Sequence, residues 1–76
     1  MQDSRGNYYV SDELNHRIQK FDSNGTFLAS YGSYGSGNGQ FAVQQGLSID
    51  AQDRLYVADT YNNRIQVFQT YPSWQF

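Results

Sequence analysis

A stretch of twenty residues occurs twice in this chain, and the duplication constrains the fold more than any single residue does. Residues 3–22 read DSRGNYYVSDELNHRIQKFD, and residues 50–69, 47 positions further on, read DAQDRLYVADTYNNRIQVFQ. Aligned without gaps, the copies share Asp3/Asp50, Tyr9/Tyr56, Val10/Val57, Asp12/Asp59, Asn15/Asn62, Arg17/Arg64, Ile18/Ile65, Gln19/Gln66 and Phe21/Phe68. A repeat of about 20–50 residues marks a solenoid, a propeller or an array, whose single unit cannot bury its own apolar face.

Length sharpens that constraint. Seventy-six residues make at most one small domain. A chain this short buries only about 60% of the surface it exposes when unfolded, so it is marginal alone. It has no cysteine, so neither a disulfide nor a cysteine-based metal site can staple it. Net charge is −2, without the basic stripe of a nucleic-acid binder. No apolar run approaches the roughly 20 residues of a membrane span, and Met1 opens no signal-peptide pattern.

Short β-rich runs alternate with turn signals, and no window shows helical apolar spacing, so the chain reads as all-β. The runs are roughly Asn7–Ser11, Arg17–Phe21, Thr26–Tyr31 and Gly46–Asp50, followed by the second copies of the first two. If residues 13–16 form a four-residue hairpin loop, Asp12 faces Arg17, Val10 faces Gln19 and Tyr8 faces Phe21 on one side of the sheet. Tyr9 with Lys20 and Ser11 with Ile18 lie on the other. The second copy repeats this register, pairing Asp59 with Arg64, Val57 with Gln66, Leu55 with Phe68 and Tyr56 with Val67. Both sides carry apolar bulk, as a sheet sandwiched between neighbours requires. Asn24-Gly25 predicts a tight hairpin with both turn residues at positive φ. Four strands in about 40–50 residues is the arithmetic of a propeller blade.

The strings YVSD-x-x-NHRIQKF (residues 9–21), YVAD-x-x-NNRIQVF (residues 56–68) and the spacer GSGNGQF (residues 35–41) resemble the NHL-repeat family. The resemblance implies a β-propeller, most often six-bladed, with four antiparallel strands per blade. The expected layout is one NHL-type region over residues 1–76. It has a first blade at about 3–31 without its inner strand, a linker at 32–41, a second blade at about 46–69 and a degenerate tail at 70–76. That is an incomplete propeller, expected to be a fragment of a multi-repeat protein. The runner-up is identical chains closing a ring head to tail. The wording is most similar to bacterial and archaeal multi-repeat proteins, which implies an extracellular or cell-surface setting. Two departures stand out. The family's proline before the glycine of the inner strand is Gln45 here, and the second turn has Asp53 where the first has Gly6; aspartate tolerates the left-handed region at some cost.

Each candidate site has a duller reading. Asp12 with Arg17 and Asp59 with Arg64 read as structural cross-strand ion pairs, of small value if exposed. Asn15 and Asn62 are expected to satisfy loop backbone groups. His16 is the only histidine, and with no cysteine it lacks the partners a metal or catalytic centre needs. No metal and no cofactor are therefore expected, although the resemblance extends to amidating lyases with metal-binding histidines. The glycine-rich residues 35–39 fail as a phosphate loop, having neither the spacing nor a following helix. Residues 22–25 hint at a calcium loop but lack the later acidic ligands. Asn24-Gly25-Thr26 is a formal glycosylation sequon.

The leading expectation is a non-catalytic binding module that presents loops on a rigid disc, with a protein partner. Leu14, His16, Tyr61 and Asn63 are the candidate contact residues, Leu14 and Tyr61 foremost; packing on a neighbouring blade is the equal alternative. The resemblance also admits ubiquitin-ligase recruitment ends, RNA-binding members, lyases and sensor domains. Five basic residues spread along an acidic chain disfavour RNA. A catalytic site would need residues from further blades.

Overall fold

A computed structural model describes residues 1–71; the degenerate strand expected around residues 73–76 lies outside them. Among the described residues, six strands form two antiparallel sheets. The first sheet is β1 (Tyr8–Asp12), β2 (Arg17–Phe21) and β3 (Phe27–Tyr31), in the order β1-β2-β3. The second is β4 (Gln44–Ile49), β5 (Arg54–Asp59) and β6 (Arg64–Gln69), in the order β4-β5-β6. The chain is thus all-β, with partial propeller blades. Among the described residues the first sheet has no inner strand and the second no outer one.

The registers follow from the side-chain pattern. Tyr8 pairs Phe21, Val10 pairs Gln19 and Asp12 pairs Arg17 in the first sheet. Leu55 pairs Phe68, Val57 pairs Gln66 and Asp59 pairs Arg64 in the second. One slip would turn every apolar residue to the wrong face. Each hairpin is closed by a 3-10 turn, Glu13–Asn15 or Thr60–Asn62. Its last loop residue, His16 or Asn63, sits in the left-handed region at φ 54°.

The hairpin at Asn24-Gly25 departs from expectation. Only Gly25 has positive φ, 85°, and the register shifts between Lys20 and Phe21. The physical reason lies in Asp22. Its Oδ1 accepts the N–H groups of Asn24 and Thr26, both at 2.9 Å, which leaves one left-handed residue and a bulge in place of a two-residue mirror-image turn. The strand starts at Phe27 instead of Thr26, and β4 opens at Gln44, ahead of the expected Gly46, with its own irregularity between Gln44 and Leu47.

The core lies between the two sheets. Tyr9 and Ile18 from the first sheet meet Leu55, Val57 and Phe68 from the second, with Leu47 and Ile49 packed at the margin. Phe41, from the connection between sheets, completes it, its ring 5.9 Å from Phe68 in an edge-on contact. Gly32 must be glycine here. Its φ is 103°, and a Cβ would run into the Phe41 ring.

Candidate functional site

The densest polar chemistry sits at the tip of the second hairpin. Asp59 is fully buried, at the end of β5. Its Oδ1 accepts the Ala42 N–H at 2.8 Å. Its Oδ2 accepts from Asn62 Nδ2 at 2.9 Å, Arg64 Nε at 2.8 Å and Gln66 Nε2 at 3.2 Å. Burial pushes this carboxyl up, yet the hydrogen bonds from Ala42, Asn62 and Arg64 outweigh it and hold it below the ordinary carboxylate value.

The same side chains reach outward to the glycine-rich connection. Arg64 donates from Nη1 to Ser36 O at 2.9 Å, and from Nη2 to Gly37 O at 2.8 Å and Gln40 O at 2.9 Å. Asn62 donates to Gly35 O at 2.9 Å. Gln66 donates to Gln40 O at 2.7 Å and accepts the Gly39 N–H at 3.0 Å. The connection is therefore a clamped strap. Gly35 holds φ 156°, which L side chains rarely adopt, and a Cβ there or at Gly37 would have to displace the end of the Gln40 side chain.

The first hairpin carries the same four residue types in the same places. Asp12 accepts from Asn15, from Arg17 Nε at 2.9 Å and from Gln19 at 3.1 Å. The Arg17 guanidinium, then Asn15, hold the Asp12 carboxyl below its ordinary value. There the correspondence ends, since among the described residues no strap is bonded to this clamp. Asn15 was expected to satisfy its own loop; it bonds the Asp12 carboxylate instead. Asn62 serves backbone, but that of the distant strap.

Leu14 and Tyr61 are equivalent positions, at the middle of each 3-10 turn. They stand 82% and 72% exposed. His16 and Asn63, the left-handed residues that close these turns, differ in what they touch. The Nδ1 of His16 accepts the Val43 N–H at 3.2 Å, and its ring lies 4.7 Å from that of Tyr34. Asn63 is exposed, its N–H bonded to Thr60 O. His16 thus ties the first hairpin to the segment entering β4. Among the described residues no three of His, Cys, Asp and Glu converge as a metal cluster.

Sequence reasoning missed a set of aspartates. Asp3, Asp22 and Asp50 each open a turn and accept from backbone N–H groups two and four residues on, at 2.9–3.0 Å. The shared signal, Asp followed three residues later by Gly or Asp, is readable in all three places. At Asp50 burial raises the carboxyl, but the Arg54 N–H and guanidinium outweigh it and bring the pKa to about 2. Asp53 was also undervalued. It adopts φ 60° where Gly6 stands in the first copy. Its carboxylate accepts Ser4 N–H at 2.9 Å, Ser4 Oγ at 2.6 Å and Arg5 Nη1 at 3.2 Å, so the substitution tolerated at a cost is the tie between the two basal turns.

The arrangement can hold backbone and display loops; it assembles no nucleophile, base and oxyanion donors among the described residues. Comparison with known proteins agrees with the repeat pattern. Residues 45–68 match the family model described as NHL repeat. The chain is 42% identical over 69 residues to peptidyl-glycine alpha-amidating monooxygenase B of Xenopus laevis, covering 83% of this chain and 8% of that protein. It is 35% identical over 66 residues to NHL repeat-containing protein 3 of Homo sapiens, covering 83% of this chain and 19% of that protein. It is 45% identical over 42 residues to E3 ubiquitin-protein ligase TRIM71 of Rattus norvegicus, covering 55% of this chain and 5% of that protein. The chain therefore spans a fifth or less of each of these relatives.

Proposed function

We propose a function from a plain premise: the chain belongs to the NHL-repeat family. Our reading is a non-catalytic interaction module whose blades, about residues 3–31 and 46–69 with the strap between them, contribute to a larger propeller. In that assembly, most often six-bladed in this family, further blades come from the parent chain or from identical chains. The disc presents the hairpin loops to a protein partner.

One observation carries the reading. Leu14 and Tyr61, equivalent by the repeat, are the most exposed large apolar side chains of the two sheets' loops. Each crowns a turn held from below by an aspartate-centred clamp. Apolar groups presented on a rigid base lose little conformational entropy on binding and suit a partner anchor. The double substitution Leu14→Ser with Tyr61→Ser leaves the unfolding midpoint unchanged and abolishes capture of protein partners by the intact parent. Undiminished capture by that variant would refute the reading.

A second reading is kept because of the 42% identity to an amidating monooxygenase. Here the blades belong to a propeller enzyme whose catalytic residues lie elsewhere. Zinc or calcium separates the two. A metal-dependent rise in the parent's melting temperature favours the enzyme, and none favours the module.

A further inference from the structure

Asparagine precedes glycine twice in this chain, at Asn24-Gly25 and at Asn38-Gly39. That pair carries a chemistry of its own. With no side chain to shield it, the glycine backbone nitrogen can attack the asparagine Cγ. A C–N bond forms, the glycine N–H proton passes to the side-chain nitrogen, and that nitrogen leaves as ammonia. Water then opens the succinimide to aspartate or isoaspartate. The step needs a glycine nitrogen released from its hydrogen bond and an asparagine side chain able to fold back onto it.

The fold separates the two pairs. Asn38 sits in the strap. The Gly39 N–H donates to Gln66 Oε1 at 3.0 Å, and the carbonyls on either side, Gly37 and Gln40, accept from Arg64 at 2.8 and 2.9 Å. These partners belong to β6, so the attacking nitrogen is released only when the strap leaves the blade. Asn24 stands exposed in the turn between β2 and β3, and its side chain makes no hydrogen bond among the described residues. The Gly25 N–H donates to Asp22 O at 3.0 Å, and the other bonds of the turn also return to Asp22. A Cβ added at Gly25 would meet no atom within 4 Å. Opening this turn is a local event that leaves both sheets intact, and such openings cost far less than global unfolding.

We propose that Asn24 is a site of spontaneous covalent modification, deamidating to aspartate and isoaspartate with water as the co-reactant, while the strap protects Asn38. The site stays open beside another blade. The 47-residue offset makes Tyr71 the counterpart of Asn24. Tyr71 has a preceding blade next to it, with the Arg5 guanidinium 3.2 Å from its ring centroid, and is still 52% exposed. Both products set a carboxylate two residues from that of Asp22, and isoaspartate adds a methylene to the main chain. The spacing that lets Asp22 Oδ1 accept from residues 24 and 26 is then lost, directly before β3 begins at Phe27. The change is read in the outer strand. The Leu14 and Tyr61 loops lie at the opposite ends of the strands, so the site holds whether or not they recognise a partner.

The test ages the full chain at mildly alkaline pH and physiological temperature, beside a sample held unfolded in denaturant. Peptide mapping by mass spectrometry follows each asparagine, and an isoaspartate-specific methyltransferase with labelled S-adenosylmethionine reports the isoaspartate product. The expected result is conversion at Asn24 at least about tenfold faster than at Asn38 in the folded chain, a gap that local against concerted opening produces. In denaturant the two rates converge. Gln66→Ala, which removes the acceptor of the Gly39 N–H, raises the rate at Asn38 and leaves that at Asn24 unchanged. Amide resonances of the aged chain shift over residues 22–31 and hold at Asp59 and Arg64. Equal rates at the two pairs in the folded chain, or faster conversion at Asn38, would overturn the assignment. So would an Asn24 that stays intact after the denatured sample has converted.

Discussion

The two sheets are near-copies in sequence, yet each buries the face its twin exposes. Ile18 is fully buried while its counterpart Ile65 is 62% exposed; Val57 is fully buried while Val10 is 48% exposed. The residue types are identical at both pairs, so composition cannot explain the difference. Position relative to a neighbour does. The first sheet turns its Tyr9–Ile18 face to the second, and the second offers its Leu55–Val57–Phe68 face in return. Left over are one apolar face on each sheet, including a hollow of about 250 Å³ lined by Gly46, Leu47, Ser48, Tyr56, Ala58 and Ile65. The lesson is that the repeat encodes a wedge with two adhesive flanks, of which this pair uses one each.

The largest test of that comparison is at the phenylalanines. Phe68→Ala should destabilise by about 3–5 kcal/mol, the range for a buried aromatic. Phe21→Ala, the same change in the partly covered copy, should remove only about 1 kcal/mol. Urea midpoints measure both, and equal losses would break the comparison. Next come the clamps. Asp59→Ala removes the acceptor for Ala42, Asn62, Arg64 and Gln66 and strands a cation, for about 3 kcal/mol. Asp12→Ala, whose carboxylate holds no strap among the described residues, should lower the midpoint by a small fraction of that shift.

A smaller effect sits at the join between the sheets. Val43 is β-branched and holds φ 51°, a conformation that costs an L-residue about 1–2 kcal/mol. Val43→Asn, which suits that region, should raise stability by about 0.5 kcal/mol once lost apolar contact is deducted. A lower midpoint would place the strain elsewhere. Most gradual is the response to acid. Asp3, Asp12, Asp50 and Asp59 all have depressed folded-state values, Asp50 at about 2. A depressed carboxyl stabilises the fold above its unfolded value, near 3.9, and loses that contribution as pH falls through the folded value. Stability should therefore be flat above about pH 5 and decline between about pH 4 and pH 2. Replacing Asp50 by Asn should flatten the low end of that decline.

Much of this was legible because period-two alternation and duplication reinforce each other. The pairing of Asp12 with Arg17 and Asp59 with Arg64 follows from loop length alone once the strands are placed. Identical side chains in both copies also announced that both faces are sticky. Other features were hidden for physical reasons. That Arg64 grips the strap while Arg17 does not is a matter of which backbone passes nearby, and two identical arginines cannot declare it. Asp53 looked like a tolerated substitution because its partners, Ser4 and Arg5, lie in the other copy. The Asn24-Gly25 turn misled because the decisive group was the Asp22 carboxylate two residues upstream, competing for the same N–H groups. His16 was weighed as a ligand and a contact, whereas its Nδ1 is spent on Val43.

The central claim is that these wedges are incomplete as a pair, each with an apolar flank that seeks another blade. Sedimentation velocity of the purified chain over a range of micromolar concentrations tests it most directly. The account predicts association that grows with concentration and is suppressed when both flanks are charged by Val10→Lys and Ile65→Lys. A compact monomer at every concentration, unfolding cooperatively and indifferent to those two charges, would contradict it.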